Sequence, residues 1–232
     1  MLSMLSRRRD YYFPDDEMDL EKRRENFMEK IHIEKNTVQE TLIIPLYARK
    51  LCTELYPNLF SDKKSTELIE RLDYDFGALA KKSASTMQRF GALEVAMRQN
   101  DIAYEVRDYL KLYPKAAIVN LGCGLDQTGE NCDNGACRIY NLDFPDVILI
   151  RNRLLPETER VWNLGVDLND TAWFDKIDAA NGAVFFAAGV FYYFRKTEVQ
   201  SLFTKMAKRF PGGVLVFDTA GRRAVKLMIK LG

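Results

Sequence analysis

The feature that most constrains this chain is Ala116-Ala117-Ile118-Val119-Asn120-Leu121-Gly122-Cys123-Gly124-Leu125-Asp126. A short apolar run ends on two glycines that flank one residue, followed by an apolar residue and an acid. The pattern reads as a strand turning sharply into a helix that begins near Asp126. Such a turn needs residues without Cβ where the backbone crowds a neighbour or a ligand. The first amides of the helix would face a nucleotide-like ligand. Taken alone the signal is weak, because glycine turns are common and Gln127 fills the last position of a full G-x-G-x-x-G.

The rest of the second half repeats the unit. Strands are predicted over residues 138–143, 161–167, 182–189 and 213–218, with a helix over Lys196 to Arg209. Alternating strands and helices imply an α/β fold, a parallel sheet with helices on both faces. Ligands on such sheets bind beyond the carboxyl ends of the strands, at the topological switch point. Gly122, Asp143, Asp167 and Gly189 all fall at predicted carboxyl ends. Asp143 ends the strand after the glycine turn, about 20 residues on, where a carboxylate accepts hydrogen bonds from ribose hydroxyls. The competing role for Asp143 is a cap or turn before Pro145; the spacing favours ribose. Asp167 can reach an adenine amino group with Leu168 against the ring, or can simply cap the turn through Asn169 and Asp170. Spacing does not choose between those two.

The first half reads differently. Residues 1–27 mix Arg7-Arg8-Arg9, Asp15-Asp16-Glu17 and Lys22-Arg23-Arg24, the composition of a solvated arm. Residues 28–112 read as a helical cap. Val38, Leu42, Leu46 and Leu51 fall near helical spacing, with Pro45 bending or ending that helix. A second helix is expected from Ser65 to Leu72. A third runs from Phe90 to Leu110, with Phe90, Leu93, Met97, Ile102, Val106, Tyr109 and Leu110 on its apolar face. Residues 113–232 form the α/β core.

Composition removes several classes. A formal net charge of +1 leaves no broad basic footprint, so nucleic acid is not expected as a partner. No apolar run approaches the roughly 18–20 residues of a membrane span. The arginines near the start follow a short apolar stretch instead of preceding one, the wrong order for a secretory signal, so a cytoplasmic protein is expected. A single histidine, His32, and four scattered cysteines give no metal-ligand spacing, so no metal is expected. Cys132 and Cys137 form at most a weak redox pair.

The glycine–acid arrangement serves dinucleotide dehydrogenases as well as methyltransferases. Three features lean toward methyl transfer. The glycine turn comes late, after a helical portion able to cover a pocket. Little chain remains for a separate substrate domain. The α/β half holds no histidine to act as general base.

At these residues the chain resembles the leucine carboxyl methyltransferase superfamily, and within it the branch named for the tetracenomycin polyketide-synthesis O-methyltransferase. The resembling segments are Thr37 to Tyr47, Met97-Arg98 with Asp101, Val119 to Asp126, Leu142-Asp143-Phe144-Pro145-Asp146-Val147-Ile148, Trp173, Gly189-Val190 with Tyr193, and Phe210-Pro211-Gly212-Gly213. The resemblance implies a Rossmann-like class I methyltransferase sheet, an N-terminal helical lid, and S-adenosylmethionine as cofactor. It implies that Arg98 pairs with the methionyl carboxylate, for which a planar guanidinium is suited. Gly122, Cys123 and Gly124 would lie under methionine and ribose. Asp143 with Phe144 would hold the ribose, and Asp167 and Leu168 would border adenine. Gly189 and Tyr193 would flank the methyl-transfer site, Tyr193 as the candidate catalytic residue. Gln39 and Tyr47 on the lid would touch substrate. Two positions depart from the pattern. Gln127-Thr128 replaces the usual Thr-Arg, and Ala188 stands where Glu usually precedes Gly-Val.

The expected activity is therefore methyl transfer to an oxygen, hydroxyl or carboxyl, of a small polyketide-like molecule. The rivals are a protein carboxyl methyltransferase, which would need an open groove, and a cofactor-binding protein without turnover, suggested by Ala188 and Gln127. A nicotinamide dehydrogenase stands well behind. The chain looks short after its fifth strand; an exposed sheet edge there would favour association, so a homo-oligomer is compatible with this reading.

Overall fold

The computed structural model describes residues 30–82 and 85–219. In chain order its elements are β1 (Ile31–His32), α1 (Ile43–Leu55), α2 (Lys63–Glu70), β2 (Leu72–Asp73), α3 (Gly77–Lys82), α4 (Thr86–Leu112), β3 (Ala117–Leu121), α5 (Thr128–Asn131), β4 (Arg138–Asp143), α6 (Pro145–Leu154), β5 (Val161–Gly165), β6 (Ala183–Ala187), α7 (Lys196–Arg209) and β7 (Val214–Phe217). Short 3-10 turns precede α1 at Val38–Leu42 and occupy Thr171–Lys176 and Phe191–Tyr193.

The five longer strands form one parallel sheet in the order β5-β4-β3-β6-β7. The chain starts at the centre with β3, winds outward through β4 and β5, then crosses back to β6. The switch point lies between β3 and β6. Both faces of the sheet are covered, which is why its strands read as nearly continuous apolar runs. Val119, Leu121, Leu142 and Phe185 face a cluster built from Trp173, Leu202, Met206 and Phe210. Ile118, Ile139, Val184 and Phe186 face Ile102, Val106 and Leu110 of α4. The α/β doubly wound architecture expected from the sequence is present, and no helix among the described residues is long and apolar enough to cross a membrane.

The first half departs from the sequence expectation in four places. It holds a small parallel pair, Ile31 opposite Leu72 and His32 opposite Asp73, in what had read as wholly helical chain. The second helix therefore stops at Glu70, capped at its start by Asp62, so that Leu72 can enter the pair. Pro45 lies in the first turn of α1, where its missing N–H has no partner to lose; it starts the helix instead of ending it. Phe90 and Met97 lie outward on α4, 64% and 40% exposed. The buried face is made by Ala92 and Ala96, small residues against which Leu51, Cys52 and Phe60 pack. One helix thus serves two bodies: its first half closes on α1 and its second half covers the sheet.

That packing is specific enough to test. Ala96 has no exposure and lies in one buried cluster with Leu51, Cys52 and Phe60. Ala96→Leu should overpack this contact and destabilise the protein by about 1–3 kcal/mol, read as a lower denaturant midpoint. An unchanged midpoint would show that α4 and α1 are not closely seated.

Candidate functional site

The glycine turn leaves β3 with left-handed backbone at both glycines, φ +66° at Gly122 and +48° at Gly124. Side chains are excluded there by neighbours as well as by strain. A Cβ on Gly122 would lie 2.6 Å from Val190 Cγ2, and one on Gly124 would lie 3.1 Å from Leu42 Cδ2. Val190 follows β6, so the turn touches the far side of the switch point. Leu42 precedes α1, so it also touches the N-terminal helices.

Every side of the turn is hydrogen-bonded. The Cys123 amide donates to Leu142 O at 2.9 Å. The Gly124 amide donates to Asp143 Oδ2 and the Phe144 amide to Asp143 Oδ1, each at 2.8 Å. Arg151 Nη1 donates to Gly124 O at 2.9 Å and to Asp126 O at 2.7 Å. Arg49 Nη2 of α1 donates to Leu125 O at 3.0 Å, while its Nε donates to Asp62. Asp126 accepts from the amide and hydroxyl of Thr128 and from Gln99 of α4. The helix after the turn, α5, is a single turn long, so these contacts and not a helix dipole fix the loop.

Arg151 has no exposed side-chain surface. Its charge is balanced by Glu130, and its Nε donates to Asn163 Oδ1 at 3.0 Å. Burial raises the Asp143 carboxyl above the ordinary aspartate range; the Gly124 and Phe144 amides and the Arg151 charge oppose this without cancelling it. Burial also drives the Cys123 thiol far up, so it is a small packing residue and no nucleophile at neutral pH.

Across the switch point a second corner forms at Gly189, whose φ is +73°. Its amide donates to Asp218 Oδ1 at 2.7 Å. Arg98 Nη1 and the Tyr192 hydroxyl both donate to Asp218 Oδ2 at 2.8 Å. Burial would raise the Asp218 carboxyl, but the Gly189 amide, the Arg98 charge and the Tyr192 hydroxyl together hold it below its usual range. Burial, with Asp218 beside it, pushes the Tyr192 phenol up to about 12.

The structure thus gathers Gly122, Cys123, Gly124, Asp143 and Phe144 at one corner and Arg98 and Gly189 at the other. The remaining candidates are dispersed. Asp167 is exposed and accepts from the Asn169 amide at 2.9 Å, because β5 ends two residues earlier at Gly165. Leu168 is buried beside Trp173, whose indole N–H donates to its carbonyl. Gln39 Oε1 accepts from the Glu34 amide, and the Tyr47 ring stacks on Phe76 at 5.9 Å. Tyr193 is 78% exposed; its neighbour Tyr192 is the tyrosine drawn into the cluster. Arg151, Arg49, Asp218 and Tyr192 were missed from sequence. Arg151 alone left a local trace, since it shares helical spacing with the buried Val147 and Leu154 of α6.

The model of the leucine carboxyl methyltransferase family matches residues 33–207. The chain belongs to this family. It is 28% identical over 182 residues to the tetracenomycin polyketide synthesis O-methyltransferase TcmP of Streptomyces glaucescens, covering 78% of this chain and 65% of that protein. It is 26% identical over 203 residues to the S-adenosyl-L-methionine-dependent methyltransferase dpfgK of Gibberella zeae, covering 79% of this chain and 66% of that protein. The chain therefore spans about two thirds of the length of these relatives. A solved O-methyltransferase family protein from Burkholderia thailandensis shares 16% identity with a TM-score of 0.43, over 86% of this chain and 60% of that one. The fold assignment rests instead on the strand order of this chain.

Arg151→Met removes a buried cation while keeping most of the side-chain volume. It strands Gly124 O, Asp126 O and Glu130, and should lower unfolding free energy by about 3–5 kcal/mol, measured by denaturant titration. A loss below about 1 kcal/mol would mean that the loop holds itself.

Proposed function

We propose that this chain is an S-adenosylmethionine-dependent O-methyltransferase acting on the hydroxyl or carboxyl oxygen of a small molecule. The observation that carries the reading is the switch-point geometry: a braced glycine turn with an acid at the end of the next strand, facing an arginine-bearing glycine corner. Family membership supports the cofactor class, and the names of both relatives support methyl transfer; TcmP supports oxygen as the acceptor atom and a polyketide-like substrate.

The residues fit the cofactor. Gly122 and Gly124 leave bare backbone where a side chain would collide, so a ligand can lie against it. Each Asp143 oxygen accepts one backbone amide, which leaves lone pairs on both for ribose hydroxyls. Phe144, at 47% exposure beside Asp143, offers apolar surface for the adenosine side. Arg98 offers a guanidinium to the methionyl carboxylate. On this reading residues 28–112 would be the cap and residues 113–232 the cofactor-binding core.

When bound, the sulfonium supplies an already activated methyl group. The protein's share is to align the acceptor oxygen with it and to exclude water, and such positioning contributes about 7–11 kcal/mol to a barrier. A carboxylic acid or a phenol reacts as an anion or near-anion and asks little of a general base. This matches a site without histidine: His32 lies on β1, paired with Asp73. Tyr193, 78% exposed, would be free to contact the acceptor.

Calorimetric titration with S-adenosylhomocysteine tests the reading. The wild type should bind in the micromolar range. Asp143→Asn and Arg98→Ala should each weaken binding about tenfold, the scale of one charge-assisted hydrogen bond. A folded wild type that binds neither this ligand nor S-adenosylmethionine contradicts it.

A further inference from the structure

We propose that Arg49, on the N-terminal helix α1, is a positioning residue for the cofactor: it fixes the middle of the glycine turn, so affinity for the cofactor depends on a side chain that does not touch it. The inference rests on the cofactor reading above.

Three consecutive carbonyls of the turn are taken by two buried arginines. Gly124 O and Asp126 O accept from Arg151 of α6. Leu125 O, between them, accepts from Arg49 Nη2 at 3.0 Å. The two cations come from different bodies. Arg151 belongs to the sheet's own helices, whereas Arg49 lies 76 residues before the carbonyl it holds. Arg49 is 5% exposed and Leu125 3%, so the guanidinium is turned to the backbone and not offered to a ligand.

Arg49 is itself held. Its Nε donates to Asp62 Oδ2 at 2.9 Å, and the two side chains are 6% and 10% exposed. Asp62 is fixed at two further atoms. Its Oδ1 accepts from the Ser65 amide at the start of α2, and its own amide donates to Thr53 Oγ1. The Thr53 hydroxyl donates back to Arg49 O. Asp62, Arg49 and Leu125 O therefore form one chain of bonds from α2 through α1 to the turn. Its middle member needs a planar fork that reaches two acceptors at once, which a lysine ammonium on its flexible stem does not reproduce.

The turn needs this brace more than an ordinary loop does. Gly122 and Gly124 are left-handed, and glycine backbone released from its bonds has many conformations open to it. A ligand that must order the turn as it binds loses affinity by that ordering. Arg151 fixes the carbonyls on either side, and Arg49 fixes the one between. Leu42, directly before α1, closes on Gly124 from the same body.

The test sets cofactor affinity against stability. Arg49→Lys keeps a cation beside Asp62, so most of the stability should remain, yet S-adenosylhomocysteine should bind about tenfold more weakly in calorimetric titration. In the ligand-free protein its Gly124 and Asp126 amides should exchange hydrogen faster than those of the wild type. Asp62→Asn, which keeps a side chain able to cap α2, should weaken binding in the same direction. Ala92→Gly on α4 is the control: it lowers stability without touching the turn, and should leave affinity and exchange at the turn unchanged. Each titration is made where the denaturation curve shows the variant folded; should Arg49→Lys not fold, Asp62→Asn decides. Wild-type affinity in Arg49→Lys, or an equal loss of affinity in Ala92→Gly, overturns the proposal while leaving the cofactor reading intact. Failure of the folded wild type to bind S-adenosylhomocysteine overturns both.

Discussion

The buried cation under the glycine turn does most to hold the candidate site in shape. The guanidinium of Arg151 sits under the glycine turn and ties Gly124 O and Asp126 O to Glu130 and Asn163. A turn with two left-handed residues is costly to order and offers bare carbonyls that would otherwise face the interior. An arginine answers both needs, because its planar fork reaches several acceptors at fixed angles. Isolated, such a charge could not be buried; with Glu130 and the loop carbonyls it is compensated. Its position on α6 follows from Pro145, which starts that helix directly after Asp143. Thus the end of β4 supplies both the acid that takes the Gly124 amide and the helix that carries the cation.

The N-terminal helices are tied to the same turn. Arg49 bonds Leu125 O, Leu42 rests on Gly124, and Gln99 bonds Asp126. A shift of α1 relative to the sheet would break the first two of these contacts. The seating of α1 and the shape of the glycine turn are therefore linked, and α4 packs on both α1 and the sheet.

Much of the sheet could be read in advance because a buried parallel strand leaves a local mark: an apolar run ending in glycine or aspartate. β3, β4 and β6 were legible for that reason, and so were the positions of Gly122, Gly124 and Asp143 at strand ends. The cap was less legible. Alanine carried the α4 contact, and outward Phe90 and Met97 mimicked an apolar face. Asp218 stood at a predicted strand end, but its partner Arg98 lies 120 residues away, and Arg49 left no trace because its partner lies 76 residues away. Arg98 was reached only through likeness to a family and Gly189 also from its place at a predicted strand end; the structure puts the two side by side.

The central claim is that the glycine turn is prebuilt to receive an adenosyl cofactor. Its most direct test is a crystal structure of the protein grown with S-adenosylhomocysteine. The account expects the ligand along Gly122–Gly124, its ribose hydroxyls on Asp143, and a loop backbone within about 1 Å of the arrangement described. A ligand seated away from the turn, or a turn that has to refold and release Arg151 to admit it, would contradict the account.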